Sequence, residues 1–153
     1  LTQIEPASDL QMTRADREYK VLVADDSATI RMMLEQNLTA ANFKPIITNN
    51  GSEALKTIMA LKAQAEEEGK EITEFVDVVV SDIEMPLMDG FSLTKNIKDD
   101  SVLQKLPVIL YSSIITKELK HKGDSVGADL QITKPDLHTI PEKAIELIEG
   151  SKD

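Results

Sequence analysis

The chain has 153 residues, 41% apolar and 29% charged, and its 17 basic against 27 acidic side chains leave a formal charge of −10. That suffices for one domain with a proper core, and the charge argues against a nucleic-acid surface, which needs clustered Lys and Arg. With no cysteine there is no disulfide or thiolate site, which fits a cytoplasmic protein. No run approaches the roughly 18 apolar residues of a membrane span, and the first 19 residues lack the pattern of a secretory signal.

Residues 1–18 hold isolated apolar positions and Pro6 without a period, and read as an N-terminal tail or interdomain linker. From residue 19 to 150 the pattern alternates. Val21-Leu22-Val23-Ala24 is a short apolar run suited to a strand buried on both faces. It ends at Asp25-Asp26-Ser27, and Ile30, Met33, Leu34, Leu38 and Ala41 then mark one helical stripe. Residues 45–48 form a second candidate strand. Asn50 opens a helix with Glu53 three residues on, a capping-box spacing, and Ala54, Leu55, Ile58 and Leu61 on its buried face. Residues 75–82 make a β-branched strand ending at Asp82. After the loop around Pro86 comes a helix carrying Phe91, Leu93, Thr94 and Ile97, then a fourth strand at 107–111 followed by Ser112-Ser113. A helix is predicted over 116–122 with Gly123 as a left-handed cap, a short strand over 129–132, and a last helix from Pro141 to Gly150. Five strands alternating with helices imply an α/β fold, a doubly wound five-stranded parallel sheet.

In such sheets the ligand site lies beyond the carboxyl ends of the strands. Asp25 and Asp26, Asp82, Ser112, and the Lys134-Pro135 pair therefore converge on one rim. Three carboxylates repel one another unless a cation or proton is shared. Oxygen ligands without His or Cys select a hard ion such as Mg²⁺. A carboxylate beside it can attack phosphorus, while Lys134 and Ser112 supply donors for the charge that develops on the phosphoryl oxygens.

The stretches Asp25-Asp26-Ser27, Asp82-Ile83-Glu84-Met85-Pro86, Met88-Asp89-Gly90, Gly127-Ala128-Asp129 and Thr133-Lys134-Pro135 resemble the response-regulator receiver domain over about residues 19–150. The resemblance implies strand order 2-1-3-4-5 and Asp82 as phosphoacceptor. It implies Mg²⁺ held by Asp26 with Asp25, Asp82 and a backbone carbonyl at Glu84, with Ser112 and Lys134 as the hydroxyl and ammonium that meet the phosphoryl group. It also implies a histidine kinase as donor, a regulatory rather than enzymatic role, and a cis Lys134–Pro135 bond. Residues 111–116, His121-Lys122-Gly123 and 125–129 further resemble the receivers of the CheV coupling family. In that family a CheW-like module precedes the receiver, and the partners are a CheA-like kinase and the chemoreceptor array. Many receivers place an aromatic residue three positions before the lysine; here it is Gln131. An inward-turning ring is thus not expected to carry the signal. A shift of Ser112 through Thr116 is expected instead, sensed at the face of Lys117, Lys120 and Lys122.

Other readings explain the residues less fully. Each acidic or hydroxyl position alone could be a helix-start or turn residue. A haloacid-dehalogenase-type phosphatase would want a second Asp where Glu84 stands. A dinucleotide site would need a glycine-rich first turn. A receiver fold used only for docking, or the receiver of another response regulator, remains as the alternative. Five of the six Met residues, at 32, 33, 59, 85 and 88, are read as core filling, and Glu66-Glu67-Glu68 as a solvated helix surface.

Overall fold

A computed structural model describes residues 14–150. Its elements alternate as the apolar pattern requires: β1 (Tyr19–Ala24), α1 (Ala28–Ala40), β2 (Phe43–Thr48), α2 (Gly51–Glu68), β3 (Val78–Asp82), α3 (Gly90–Lys98), β4 (Val108–Ser112), α4 (Lys117–Val126), β5 (Leu130–Thr133) and α5 (Ile140–Gly150). The five strands form one parallel sheet in the order β2-β1-β3-β4-β5. This is the doubly wound topology expected from the sequence.

Period-two alternation divides each central strand between two cores. Val21 and Val23, Val78 and Val80, and Ile109 and Tyr111 join Leu34 and Leu38 of α1 and Ile140, Ala144 and Ile148 of α5 on one face. Leu22 and Ala24, Val79, and Val108 and Leu110 join Ala54 and Ile58 of α2 and Phe91, Leu93 and Ile97 of α3 on the other. Each fully buried aliphatic side chain contributes about 1.5–3 kcal/mol, so the sheet is a stiff platform for whatever its ends carry.

Several boundaries differ from the sequence expectation, each for a local reason. β3 starts at Val78 rather than residue 75 because a 3₁₀ turn (Ile72–Glu74) ends at Phe75, and the amides of Phe75 and Val76 both donate to the Ile72 carbonyl, at 2.9 and 3.0 Å. Of the expected tail, residues 1–13 lie outside the described residues. Ala15 is buried, and its amide donates to the Ala41 carbonyl at 2.9 Å. Met32, Met33 and Met59 are exposed rather than core, while Met85 and Met88 pack at the edge of the second core. The expected N-cap of α2 forms, with the Asn50 side chain accepting the Glu53 amide at 2.8 Å, but the Glu53 carboxylate accepts the amide of Asn49 rather than that of Asn50, so the box closes one residue early.

The helix after β4 does not end at Gly123. It continues to Val126, and Gly127 caps it at φ 96°. Gly123 instead marks a close approach. A Cβ there would lie 2.2–2.6 Å from the amide of Gln131, which rests against the helix. The Gln131 Nε2 donates to the Lys120 carbonyl at 2.9 Å, but its Oε1 is buried without a partner among the described residues. The amide thus fastens β5 to α4, and a glycine in mid-helix makes room for it.

Gly123→Ala should therefore destabilise the parent by about 1 kcal/mol, since the displaced amide loses its bond. The same change in a Gln131→Ala background should stabilise by ~0.5–1 kcal/mol through helix propensity alone. Urea unfolding midpoints of the four proteins check this, and additive effects would contradict the contact.

Candidate phosphoacceptor and metal site

Parallel strands place all their carboxyl ends on one side, so the residues just after β1, β3 and β4 become neighbours. Asp25 follows β1, and the Ser27 side chain caps α1 by accepting the Ile30 amide at 3.3 Å. Asp82 ends β3, and Ser112 ends β4. Asp25, Asp26 and Asp82 each offer an oxygen within 4.8 Å of the others. Asp25 and Asp82 are buried, and Asp26 is exposed at the mouth. The cluster offers only hard oxygen donors, open to solvent on one side, and so fits Mg²⁺ and not a softer ion.

The other expected residues surround Asp82. Lys134 Nζ lies 3.7 Å from Asp82 Oδ2. The Glu84 amide points at Asp82 Oδ1 at 3.4 Å, while its exposed carboxylate faces the Ser112 hydroxyl at 3.4 Å. Both are long contacts. Gly90 allows α3 to start against the strand, because a Cβ would sit 2.3 Å from the Asp82 carbonyl.

The expectation of a cis Lys134–Pro135 bond is not met: no peptide bond among the described residues is cis. A 3₁₀ turn (Lys134–Thr139) follows β5, with Pro135 in its first turn. That position wants only the fixed φ of proline and no amide hydrogen. The turn is therefore made without isomerisation, and Lys134 still reaches Asp82.

Two residues of the site escaped the sequence reading. Tyr111, read as a strand residue and part of the CheV-like stretch but given no role in the site, is fully buried and donates its hydroxyl to Asp25 Oδ2 at 2.6 Å. Burial, and then the Asp25 charge, push its phenol far above the usual range. Arg31 of α1 donates to the Asp25 carbonyl at 2.9 Å. A hydroxyl at the end of an otherwise aliphatic strand was the available signal, since a buried phenol needs a partner.

The Asp82 carboxyl is pushed up to about 6, first by burial and then by the charge of Asp25, with Lys134 and the Glu84 and Ile83 amides opposing.

These features define a doubly wound, flavodoxin-like α/β domain with an acidic rim. Residues 21–145 match the family described as "Response regulator receiver domain", and the chain belongs to that family. It is a receiver domain of two-component signalling with relatives in chemotaxis. It is 27% identical to Chemotaxis protein CheV3 of Helicobacter pylori over 146 residues, 95% of this chain and 46% of that protein. It is also 27% identical to the Sensor histidine kinase CheAY of the same species, over 95% of this chain and 17% of the relative. The chain thus spans less than half of either curated relative. Among solved structures, chemotaxis protein CheY4 of Vibrio cholerae superposes with a TM-score of 0.69 at 29% identity, covering 85% of this chain and 98% of that one. No helix among the described residues is long and apolar enough to cross a membrane.

The raised Asp82 value has a sign that can be tested. The folded state holds this proton more tightly than the unfolded chain, whose carboxyl titrates near 3.8. The stability so contributed is complete below about pH 4 and is lost as pH rises through about 6. Without divalent cations, Asp82→Asn should therefore be more stable than the parent at pH 7.5, on the order of 1–2 kcal/mol. The gap should shrink towards pH 4.5. Urea unfolding in EDTA at the two pH values measures it, and an equal gap at both would contradict the assignment.

Proposed function

We propose that this receiver accepts a phosphoryl group on Asp82 with Mg²⁺ held by Asp25, Asp26 and Asp82 and the backbone carbonyl of Glu84. The observation that carries this reading is the convergence of three carboxylates with Lys134 on one rim, where the buried Asp82 lies between the core and the exposed Asp26. A carboxylate oxygen of Asp82 bonds to phosphorus as the phosphorus–nitrogen bond of a phosphohistidine breaks. The electron pair stays on the imidazole, and the product is an acyl phosphate. Mg²⁺ would neutralise charge on the phosphoryl oxygens. Lys134, 3.7 Å from Asp82, would pair with one of those oxygens, and Ser112, buried at the end of β4, would donate its hydroxyl to another.

The CheV3 and CheAY similarities support a chemotaxis setting in the cytoplasm. There a CheA-like histidine kinase would be the donor, and a CheW-like module and the receptor array the wider context. Output would leave through Ser112 to Thr116 and α4. Lys120 is already paired with Asp124 at 2.7 Å, and the Lys122 ammonium lies 5.0 Å from the Phe91 ring centre. An acidic partner would therefore meet Lys117 first.

Acetyl phosphate with Mg²⁺ should add one phosphoryl group by mass spectrometry, with none on Asp82→Asn and little in EDTA. Equally fast labelling of that variant would place the chemistry elsewhere. Lys134→Ala should keep Mg²⁺ affinity within about threefold by calorimetry. It should nevertheless lose most of the amide shift changes that beryllofluoride induces around Ser112.

A further inference from the structure

Asp25 is fully buried, and no ion pair among the described residues involves its side chain. Its charge is answered by two neutral donors. The Ser27 amide donates to Oδ1 at 2.7 Å and the Tyr111 hydroxyl to Oδ2 at 2.6 Å. One donor on each oxygen fixes the plane of the carboxylate. The second comes from a distance. Tyr111 pairs with Asp82 in the β3–β4 register, and β3 in turn pairs with β1. The phenol therefore reaches across the strand of the phosphoacceptor, two strand spacings or about 10 Å, to the end of β1. Ser or Thr at this position could not span it, and Phe could not donate. The neighbouring residue, Ser112, belongs to the same rim, so adjacent positions of β4 serve two different carboxylates.

We propose that Tyr111 is a positioning residue for the cation: by holding Asp25 in one orientation beneath the rim, its hydroxyl sets the affinity of the site for Mg²⁺. The inference rests on the metal reading above. Partners that orient a metal-site carboxylate are commonly worth ten- to a hundredfold in affinity. The hydroxyl would act in the same way here, whereas a ring that only filled the core would not influence the ion.

The test is calorimetric titration of Mg²⁺ into the full chain, its Tyr111→Phe and Asp25→Asn variants, and the double variant, with the fold of each checked by its amide spectrum. Tyr111→Phe should weaken Mg²⁺ binding about tenfold. In the Asp25→Asn background the same change should have no further effect. Affinity unchanged by Tyr111→Phe, or equal losses in both backgrounds, would overturn the inference while leaving the metal site standing. No Mg²⁺ binding by the parent would overturn both. Should Tyr111→Phe fail to fold, the parent alone decides. Its hydrogen-bonded Tyr111 hydroxyl proton should be visible by NMR and shift along the Mg²⁺ isotherm, and a resonance indifferent to Mg²⁺ would refute the role.

Discussion

The structure is organised around carboxylates gathered where charge is expensive. A parallel sheet brings all strand ends of one polarity together, and here two neighbouring ends carry Asp25 and Asp82, both almost fully buried. Isolated buried carboxylates would be intolerable without donors. Much of the local architecture supplies them: the start of α1 presents the Ser27 amide, β4 the Tyr111 hydroxyl, and the turn after β5 the Lys134 ammonium. The compensation is incomplete. Asp82 still holds its proton more tightly than an ordinary carboxyl, which leaves room for a cation to complete the charge balance.

The two cores are the means by which this charge is held in place. Val, Leu, Ile109 and Tyr111 fill both faces of β1, β3 and β4, so the ends of these strands have little freedom to separate. Glycines then bring later segments close. Gly51 meets the Met88 carbonyl and Gly90 the Asp82 carbonyl at distances no Cβ would tolerate.

The sheet and most of the site were legible because they depend on patterns one residue wide. The apolar run 21–24 and the β-branched run before Asp82 can be buried in few ways, and strand polarity then assigns their terminal residues to one rim. What was not legible depends on partners distant in sequence. Gly123 has the composition of a cap, and only the Gln131 amide, brought against it by β5, explains a glycine there while the left-handed cap falls at Gly127. Tyr111 looks like any strand aromatic until Asp25, 86 positions away, is seen within reach. The Lys134–Pro135 turn could be closed by either proline isomer, and the 3₁₀ geometry that decides it is a property of the following segment.

The loop from Ile83 to Gly90 is tied on both flanks. The Gly90 amide donates to the Ile83 carbonyl at 2.8 Å, and the Gly51 amide to the Met88 carbonyl at 3.2 Å. Residues 113–115, on the opposite bank of the rim, have no comparable backbone tie among the described residues. The acidic cleft is thus a vice with one jaw held by backbone hydrogen bonds and one jaw without them among the described residues. In the proposed response, a load placed between them would be relieved on the untied side: displacement would run towards α4, with the α2–α3 side as the anvil.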